Sequence, residues 1–213
     1  MKAPLRPHLG VTLIELMVVV AVLGVLIAVA APSVRKLLDV QRLRGTSAQL
    51  TTDIQFVRTE AASRQEVAGI SFKYLGGSQS CYTIHTCGSE SATACSCDCT
   101  AAAGSRCAAP SSTQPDPPRE IRTIVVLATS GVEVGPTNTV GTPVDEARVL
   151  FDPATGGMAS YFATVLFGPP NPPATEFVGT TRLVAPAAAT GAIRTEITAV
   201  GRPRTCDGVA ACP

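Results

Sequence analysis

The chain has 213 residues, enough for one ordinary domain with appendages, and we expect a single soluble domain after the N-terminal segment. Its formal net charge is +1, and from Gly45 onward it contains 11 Lys and Arg residues against 14 Asp and Glu residues. This balance excludes a general electrostatic attraction to nucleic acid or lipid, so any anion-binding role must rest on a local patch.

A short basic N-terminus precedes a long apolar segment. Residues 1–10 carry Lys2 and Arg6, and the segment from Val11 to Ala31 is close to the roughly 20 residues needed to cross a bilayer as a helix. An ordinary secretory signal has a shorter apolar core of about 7 to 15 residues and is discarded after cleavage. The segment therefore predicts a retained, single-pass transmembrane helix.

Glu15 is one acid inside this apolar segment. The 13 Leu, Ile and Val residues from Val11 to Val29 favour insertion by on the order of 4 to 8 kcal/mol. A central acid costs roughly 2.5 to 3.5 kcal/mol, so insertion remains favourable. An acid within a membrane segment indicates a functional residue, and the alternative is a simple anchor whose Glu15 reaches the headgroups.

The pattern around Glu15 resembles the class III signal of type IV pilins and pseudopilins. It consists of Gly10, a hydrophobic residue, Glu15 five positions after the glycine, and an apolar helix with Pro32 near its end. The resemblance implies that a prepilin peptidase cuts after Gly10 and that the new N-terminal residue, Val11, is methylated. It also implies that Glu15 pairs with the free α-amino group of a neighbouring subunit, which contributes register to a filament more reliably than stability.

Helical patterning continues beyond Pro32, and we predict one N-terminal helix over residues 11–66, with its transmembrane part at 11–31. Six residues recur at alternating steps of four and three and form one narrow stripe: Leu43, Ser47, Leu50, Ile54, Val57 and Ala61. We expect this stripe to pack on the protein's own β-sheet. The charged residues off the stripe predict a solvated face: Arg58, Glu60, Arg64 and Glu66.

A second resemblance lies in "TTDIQFVRTEAASRQEVAGISFKY", where a helix with Phe56, Arg58, Glu60 and Ala61 leads into a strand. This pattern is similar to the FimT/GspH group of minor pilins and pseudopilins. The end of the chain adds two matches, because "VLFDPATGG" resembles the group's strand and turn and "IRTEITAVGRPRTC" resembles its final strand and tail. The resemblance implies an α+β, pilin-like fold in which a long N-terminal helix packs on an antiparallel β-sheet.

Residues 67–213 are predicted to form a β domain, which the resemblance places in the periplasm. Turn-forming breaks separate six candidate strands: Val67–Leu75, Glu120–Ala128, Ala147–Phe151, Met158–Phe167, Phe177–Ala185 and Ala192–Val200. In the last strand Ile193 and Ile197 share one face, while Arg194 and Glu196 share the other. We therefore expect one buried and one solvated sheet face.

Eight cysteines follow an export-type segment, and this even number favours disulfides formed in an oxidising compartment. Six lie in an insert at residues 76–118 that is rich in small and polar residues and predicts a stapled loop: Cys81, Cys87, Cys95, Cys97, Cys99 and Cys107. Their pairing stays open at this point. Cys206 and Cys212 are expected to close a small C-terminal loop.

The spacing of Cys95, Cys97 and Cys99 also raises metal capture, although it is tighter than the usual zinc pairs. A membrane-anchored periplasmic metal-binding protein is therefore an alternative of another class, while disulfides, with no metal and no cofactor, are the preferred prediction. Catalysis is not predicted. His8 lies in the leader, His85 has no nearby acid, and hydrolase, phosphate-loop and dinucleotide signatures are absent from the sequence.

The tail "GRPRTC" is the strongest candidate binding site. Four arginines fall between residue 180 and the C-terminus, against Glu196 and Asp207: Arg182, Arg194, Arg202 and Arg204. Guanidinium groups hold phosphate oxygens well. Some FimT-type proteins are associated with DNA uptake, and the resemblance maps their glycine-arginine-x-arginine tail onto Gly201, Arg202 and Arg204. The alternative is that these arginines cap the sheet edge or keep the loop soluble.

Together these features predict a minor pilin or pseudopilin at or near the tip of a type IV pilus-like filament. The implied partners are other pilin or pseudopilin subunits, the prepilin peptidase, the inner membrane and, in one version, DNA captured for uptake. The alternative within the same class is an H-type pseudopilin of a type II secretion system, whose further partner is a secreted protein. The implied location is the inner membrane, with the C-terminal domain periplasmic, and then a periplasmic or extracellular filament.

Overall fold

The chain divides into two compact units, Met1–Leu38 and Asp39–Pro213. Helix α1, Leu13–Arg64, begins in the first unit and ends in the second. The predicted leader, residues 1–10, and Val11 lie outside the described residues. The computed structural model describes residues 12–75, 79–88, 95–107, 116–137, 146–158, 177–183, 191–198 and 200–208.

The first unit contributes an apolar length of helix. Its stretch Leu13–Ala31 has a mean hydropathy of 2.9 over 19 residues, and none of it is buried by the protein. By length and composition this stretch suits a single-pass membrane anchor. The helix continues through Pro32, so this proline does not end it.

The described residues of the second unit form two four-stranded antiparallel sheets. The first sheet is built from β1 (Ala68–Tyr74), β2 (Gln79–Thr86), β3 (Arg119–Leu127) and β5 (Glu146–Phe151), in the spatial order β3-β2-β1-β5. The second is built from β4 (Val132–Thr137), β6 (Phe177–Leu183), β7 (Ala192–Ile197) and β8 (Pro203–Asp207), in the order β4-β6-β7-β8. The α+β, pilin-like arrangement of an apolar N-terminal helix followed by antiparallel sheets is confirmed.

The predicted stripe of α1 forms the core with strands of both sheets. All six of its members are buried, with exposed fractions of 3% or less. Four of them join β-strand side chains such as Ile70, Tyr82 and Phe151 in one apolar cluster. Burial of this stripe against a sheet is the main hydrophobic contribution to holding the helix in place.

A buried polar cluster adds to this helix–sheet contact. Asp53, which is 3% exposed, accepts a hydrogen bond from the Tyr82 hydroxyl at 2.8 Å and forms an ion pair with Arg122. The guanidinium of Arg122 also lies over the ring of Phe56, 5.9 Å from its centroid. The otherwise costly burial of a carboxylate is thus offset by a charged partner and a hydroxyl donor.

Beyond β2, the described residues 95–107 of the cysteine-rich insert cover the outer face of the first sheet, the face opposite α1. Ser71, Thr83 and His85 point to this outer face and are buried. The Cys97 N–H donates to the Ser71 hydroxyl at 3.3 Å, and Lys73 forms an ion pair with Asp98 at 2.7 Å. Both faces of β1 and β2 are therefore covered, one by the helix and one by the insert.

Two expectations about the β domain are wrong. A loop over the whole insert is contradicted at Gln79–Thr86, which is strand β2. A solvated face on Ala192–Ile197 is contradicted because all but its first residue are buried. Of the predicted strand Met158–Phe167, Met158 forms an isolated bridge with Phe151, and the remainder lies outside the described residues.

Candidate functional site

Helix α1 starts at an N-cap formed by Thr12. The Glu15 N–H donates to the Thr12 carbonyl oxygen at 3.1 Å and to the Thr12 hydroxyl at 3.3 Å. A threonine N-cap followed three residues later by glutamate is a helix-start pattern, and an acid in the first turn interacts favourably with the helix dipole. Glu15 thus has a favourable local position in addition to the assembly role that the resemblance implies.

The helix around Glu15 presents apolar side chains on all sides. Each large apolar side chain from Leu13 to Val29 is at least half exposed, and Glu15 is exposed among them. Such a continuous apolar surface needs lipid or other protein to cover it. This is the physical basis for a site of membrane residence and subunit contact at the N-terminus.

The tail arginines lie at the start of β8, on a turn held by Thr198. The Gly201 N–H donates to the Thr198 carbonyl oxygen at 2.7 Å, and the Thr198 N–H donates to the Arg202 carbonyl oxygen at 3.0 Å. The side chains of Arg202 and Arg204 are exposed. The turn and the adjoining start of β8 therefore present one guanidinium group each to solvent.

The other two candidate arginines are placed differently. Arg194 is 4% exposed and forms an ion pair with Glu196 at 2.6 Å, so its prediction as a DNA contact is wrong. A guanidinium that is buried and neutralised in this way does not meet an external phosphate. Arg182 is a residue of β6 and stands in register with Glu133 of β4.

Three sequence segments that carry the FimT/GspH resemblance converge at the carbonyl oxygen of Gly156. The Nε–H of Arg58, on α1, donates to this oxygen at 2.7 Å. Gly201 of the tail lies so close that a Cβ there would overlap the same oxygen and stand 3.2 Å from the Phe151 ring. The positive φ of 77° at Gly201 also suits glycine. The helix, the turn after β5 and the tail are thus locked together.

A groove of about 610 Å³ runs along this junction. Its walls are one face of α1, the turn after β5 and the start of the tail. Arg58 and Arg202 supply the charged side chains of the lining: Gln55, Arg58, Thr59, Ala62, Pro153, Ala154, Thr155, Gly156, Arg202 and Pro203. Arg58 is half-buried here, so the prediction that it belongs to a fully solvated face is wrong.

The cysteines of the insert form three disulfides, Cys81–Cys99, Cys87–Cys95 and Cys97–Cys107. The first ties β2 to the insert, and the other two close turns within the insert region. Cys206 is also disulfide-bonded, and its expected partner Cys212 lies outside the described residues. The geometry thus provides the pairing that the sequence left open.

This pairing removes the thiolates that the metal-binding alternative needs. Cys95, Cys97 and Cys99 belong to three different disulfides, whereas cysteine binds a metal as a free thiolate. In the described part of the chain, one metal-compatible group has its ligand atoms within 4.8 Å of one another: His85, Cys87 and Cys95. Two of these three ligands are the halves of one disulfide, so the group offers only an imidazole.

His85 is a buried neutral base. Burial lowers its pKa from 6.5 to about 4, because the interior disfavours the charged imidazolium. Its Nε2 lies 2.9 Å from the Ser71 hydroxyl, and its Nδ1 lies 3.4 Å from the Cys95 sulfur. The serine and histidine resemble a nucleophile and its base, but Nδ1 faces sulfur where a hydrolase has a carboxylate. Both side chains are enclosed, which suits a structural role.

A known family motif matches the N-terminal segment of the chain. Residues 5–31 match the prokaryotic N-terminal methylation motif. This motif is the signal of type IV pilin-type prepilins, and it implies processing by a prepilin peptidase and partners of the pilin family. No curated protein and no solved structure matches the chain significantly.

Sequence reasoning missed two features of these sites. The Thr12 cap was detectable, because threonine three residues before glutamate at the start of an apolar helix is a known signature. The role of Arg58 was not detectable, because its partner Gly156 lies 98 residues further along the chain. A helix arginine off the apolar stripe has the same pattern whether it faces solvent or a distant turn.

Proposed function

We propose that this protein is a minor pilin-type subunit that is stored in the inner membrane and assembled at or near the tip of a type IV pilus-like filament. The single observation that carries the proposal is the prepilin-type motif on an apolar helix that its own protein leaves uncovered. The β domain supports it, because disulfides stabilise folds outside the cytoplasm. In this role the protein acts by assembly and not by catalysis.

Mass spectrometry of the mature N-terminus tests this proposal. We expect a chain that begins at Val11 and carries one added methyl group. A Gly10→Val variant should stay unprocessed and should not enter sheared filaments. An intact Met1 in the wild-type protein, or a cut near Ala31, contradicts the proposal because either one removes the pilin-type N-terminus.

An H-type pseudopilin of a type II secretion system is the alternative within this class, since the motif is common to both systems. The two are separated by deletion of the gene. Loss of surface filaments with normal protein export favours the pilus, and retention of exported proteins in the periplasm favours the secretion system.

We propose DNA contact by the tail as a second function. The observation that favours it is the exposure of Arg202, on the turn before β8, and of Arg204, in β8 itself. A combined Arg202→Ala and Arg204→Ala variant should bind duplex DNA more weakly and with a flatter salt dependence. Unchanged binding at low salt would remove this function and leave the filament role standing.

A further inference from the structure

The groove between α1 and the tail carries positive charge that no acid of its described lining neutralises. The Nε–H of the Arg58 guanidinium donates to the Gly156 carbonyl oxygen. The Arg58 side chain lines the same groove as Arg202. Among the described residues of the lining there is no carboxylate, so the two cations share one cavity without a neutralising acid.

The two acids nearest in sequence to the lining are directed elsewhere, and the first, Glu60, forms an ion pair with Arg64. Asp152 precedes the turn and accepts hydrogen bonds from the Ala154 N–H at 3.0 Å, the Thr155 N–H at 2.9 Å and the Thr155 hydroxyl at 3.0 Å. These bonds lower the pKa of Asp152 and hold its carboxylate on the turn. The groove therefore remains a cationic surface inside a domain whose overall charge is slightly acidic.

We propose that this groove binds the phosphodiester backbone of duplex DNA, with Arg58 on the helix and Arg202 on the tail as its two cations. The inference rests on the proposed DNA contact of the tail and adds a second contact, from Arg58 on α1. Arginine suits this site because its planar fork can donate to one acceptor and still offer donors to a phosphate. Here the Gly156 carbonyl is that first acceptor, and it holds the Arg58 side chain in a fixed position.

The site predicts binding without sequence preference. The charged donors of the lining are the two arginines, which suit phosphate oxygens, and phosphate contacts carry no base sequence directly; the hydroxyls of Thr59 and Thr155 already donate to the Phe56 carbonyl oxygen and to Asp152. Backbone contacts of this kind position a protein on DNA, and their affinity falls steeply with salt. A subunit with this groove would hold any incoming duplex rather than select one.

The test measures fluorescence anisotropy of a labelled duplex titrated with the mature full chain in detergent micelles, from low to physiological salt. Arg58→Gln keeps a donor for the Gly156 carbonyl and removes the charge. We expect Arg58→Gln and Arg202→Gln each to weaken low-salt binding by on the order of tenfold and to reduce the salt slope by about one. Arg58→Lys, which keeps the charge, should restore most of that slope.

Arg119→Gln is the matched control, because Arg119 is an exposed arginine of β3 outside the groove. It should leave the salt slope unchanged. If Arg58→Gln binds like the wild type while Arg202→Gln does not, the groove proposal is wrong and the tail contact stands. If the wild type does not bind the duplex at low salt, both fail. If it instead binds phosphatidylglycerol vesicles more tightly than duplex, the site recognises membrane phosphates and the proposal is overturned.

Discussion

His85 is the residue through which mild acid should weaken this fold. Its pKa is about 4 in the folded chain and 6.5 ordinarily, so between these values the unfolded chain takes up a proton that the folded chain does not. The contribution of His85 to the free energy of unfolding is therefore fully present above pH 6.5 and falls by about 3 kcal/mol as the pH drops to 4. Below pH 4 this contribution stays constant.

The small number of histidines makes this prediction simple to test. The chain has two histidines, and His8 lies in the predicted leader, so His85 is the histidine of the mature protein. His85→Gln should flatten the pH dependence of the free energy of unfolding between pH 7 and pH 4.5, as measured by urea unfolding in detergent micelles. A variant with the same slope as the wild type would assign the slope to carboxylates instead.

Gly201 is the second residue whose substitution should clearly lower the free energy of unfolding. Its φ of 77° disfavours any side chain, and an added Cβ would also overlap the Gly156 carbonyl oxygen. Gly208 is the matched control, because its φ of 97° carries a similar conformational cost and no atom of the described residues lies within 4 Å of an added Cβ. Gly208→Ala should cost about 1 to 2 kcal/mol of unfolding free energy, and Gly201→Ala clearly more.

The comparison is made on urea midpoints at an unchanged m-value. Equal losses from the two substitutions would mean that the tail moves away from Gly156 at little cost. In that case the close approach of helix, turn and tail is not a rigid feature of the fold, and Arg202 is not held beside Arg58.

At the scale of elements, the insert acts as a stapled cover on the first sheet. Cys81–Cys99 ties it to β2 and spans 18 residues of sequence, and Cys97–Cys107 spans 10 within the insert. Replacing either pair with serine should cost about 3 kcal/mol in the chain-entropy description. Of these two replacements, only that of Cys81 and Cys99 should also raise hydrogen exchange in β2, because it removes the disulfide that ties the insert to this strand.

The Cys97 and Cys107 pair is the control, because its removal has a similar entropic cost and its disulfide joins no strand. Fast exchange confined to the insert in both variants would contradict the covering role. It would mean that ion pairs such as Lys73–Asp98, together with packing, hold the insert in place without the disulfide.

Periodicity and composition predicted the elements that have a clear pattern. The α1 stripe has helical spacing, and five candidate strands appear within a few residues of their predicted ends. The strands β4 and β8 were missed because both contain proline, at Pro136 and Pro203, which indicates a turn in a sequence. Both are outermost strands, and an edge strand tolerates a residue without an N–H.

The long-range contacts had no local signal. The cover on the first sheet depends on which cysteines pair, and many pairings satisfy the same spacing. The burial of Arg194 depends on its ion pair with Glu196 on the same strand, although alternation alone predicts two solvated side chains. Charged residues alternate along a strand in the same way whether their side chains face water or are paired and buried. The sequence pattern therefore does not distinguish the two cases, and the fold does.

At the scale of the whole molecule, Glu15 decides whether the apolar helix is only an anchor. Removing its charge makes membrane insertion easier, because an acid within the membrane costs up to roughly 3 kcal/mol. Glu15→Gln also keeps the local start of α1, since glutamine serves like glutamate three residues after a threonine cap. The substitution therefore leaves storage and helix formation intact and removes only the charge available to a neighbouring subunit.

We expect Glu15→Gln to be processed normally, to reach wild-type levels in the inner membrane and to be lost from sheared filaments. Immunoblots of the membrane and filament fractions, with mass spectrometry of the N-terminus, measure all three. A matched Met17→Gln variant places the same amide two residues along the apolar helix and keeps Glu15. If Glu15→Gln enters filaments as well as the wild type, the charge serves the single subunit alone, and register between subunits must come from the apolar surface of α1.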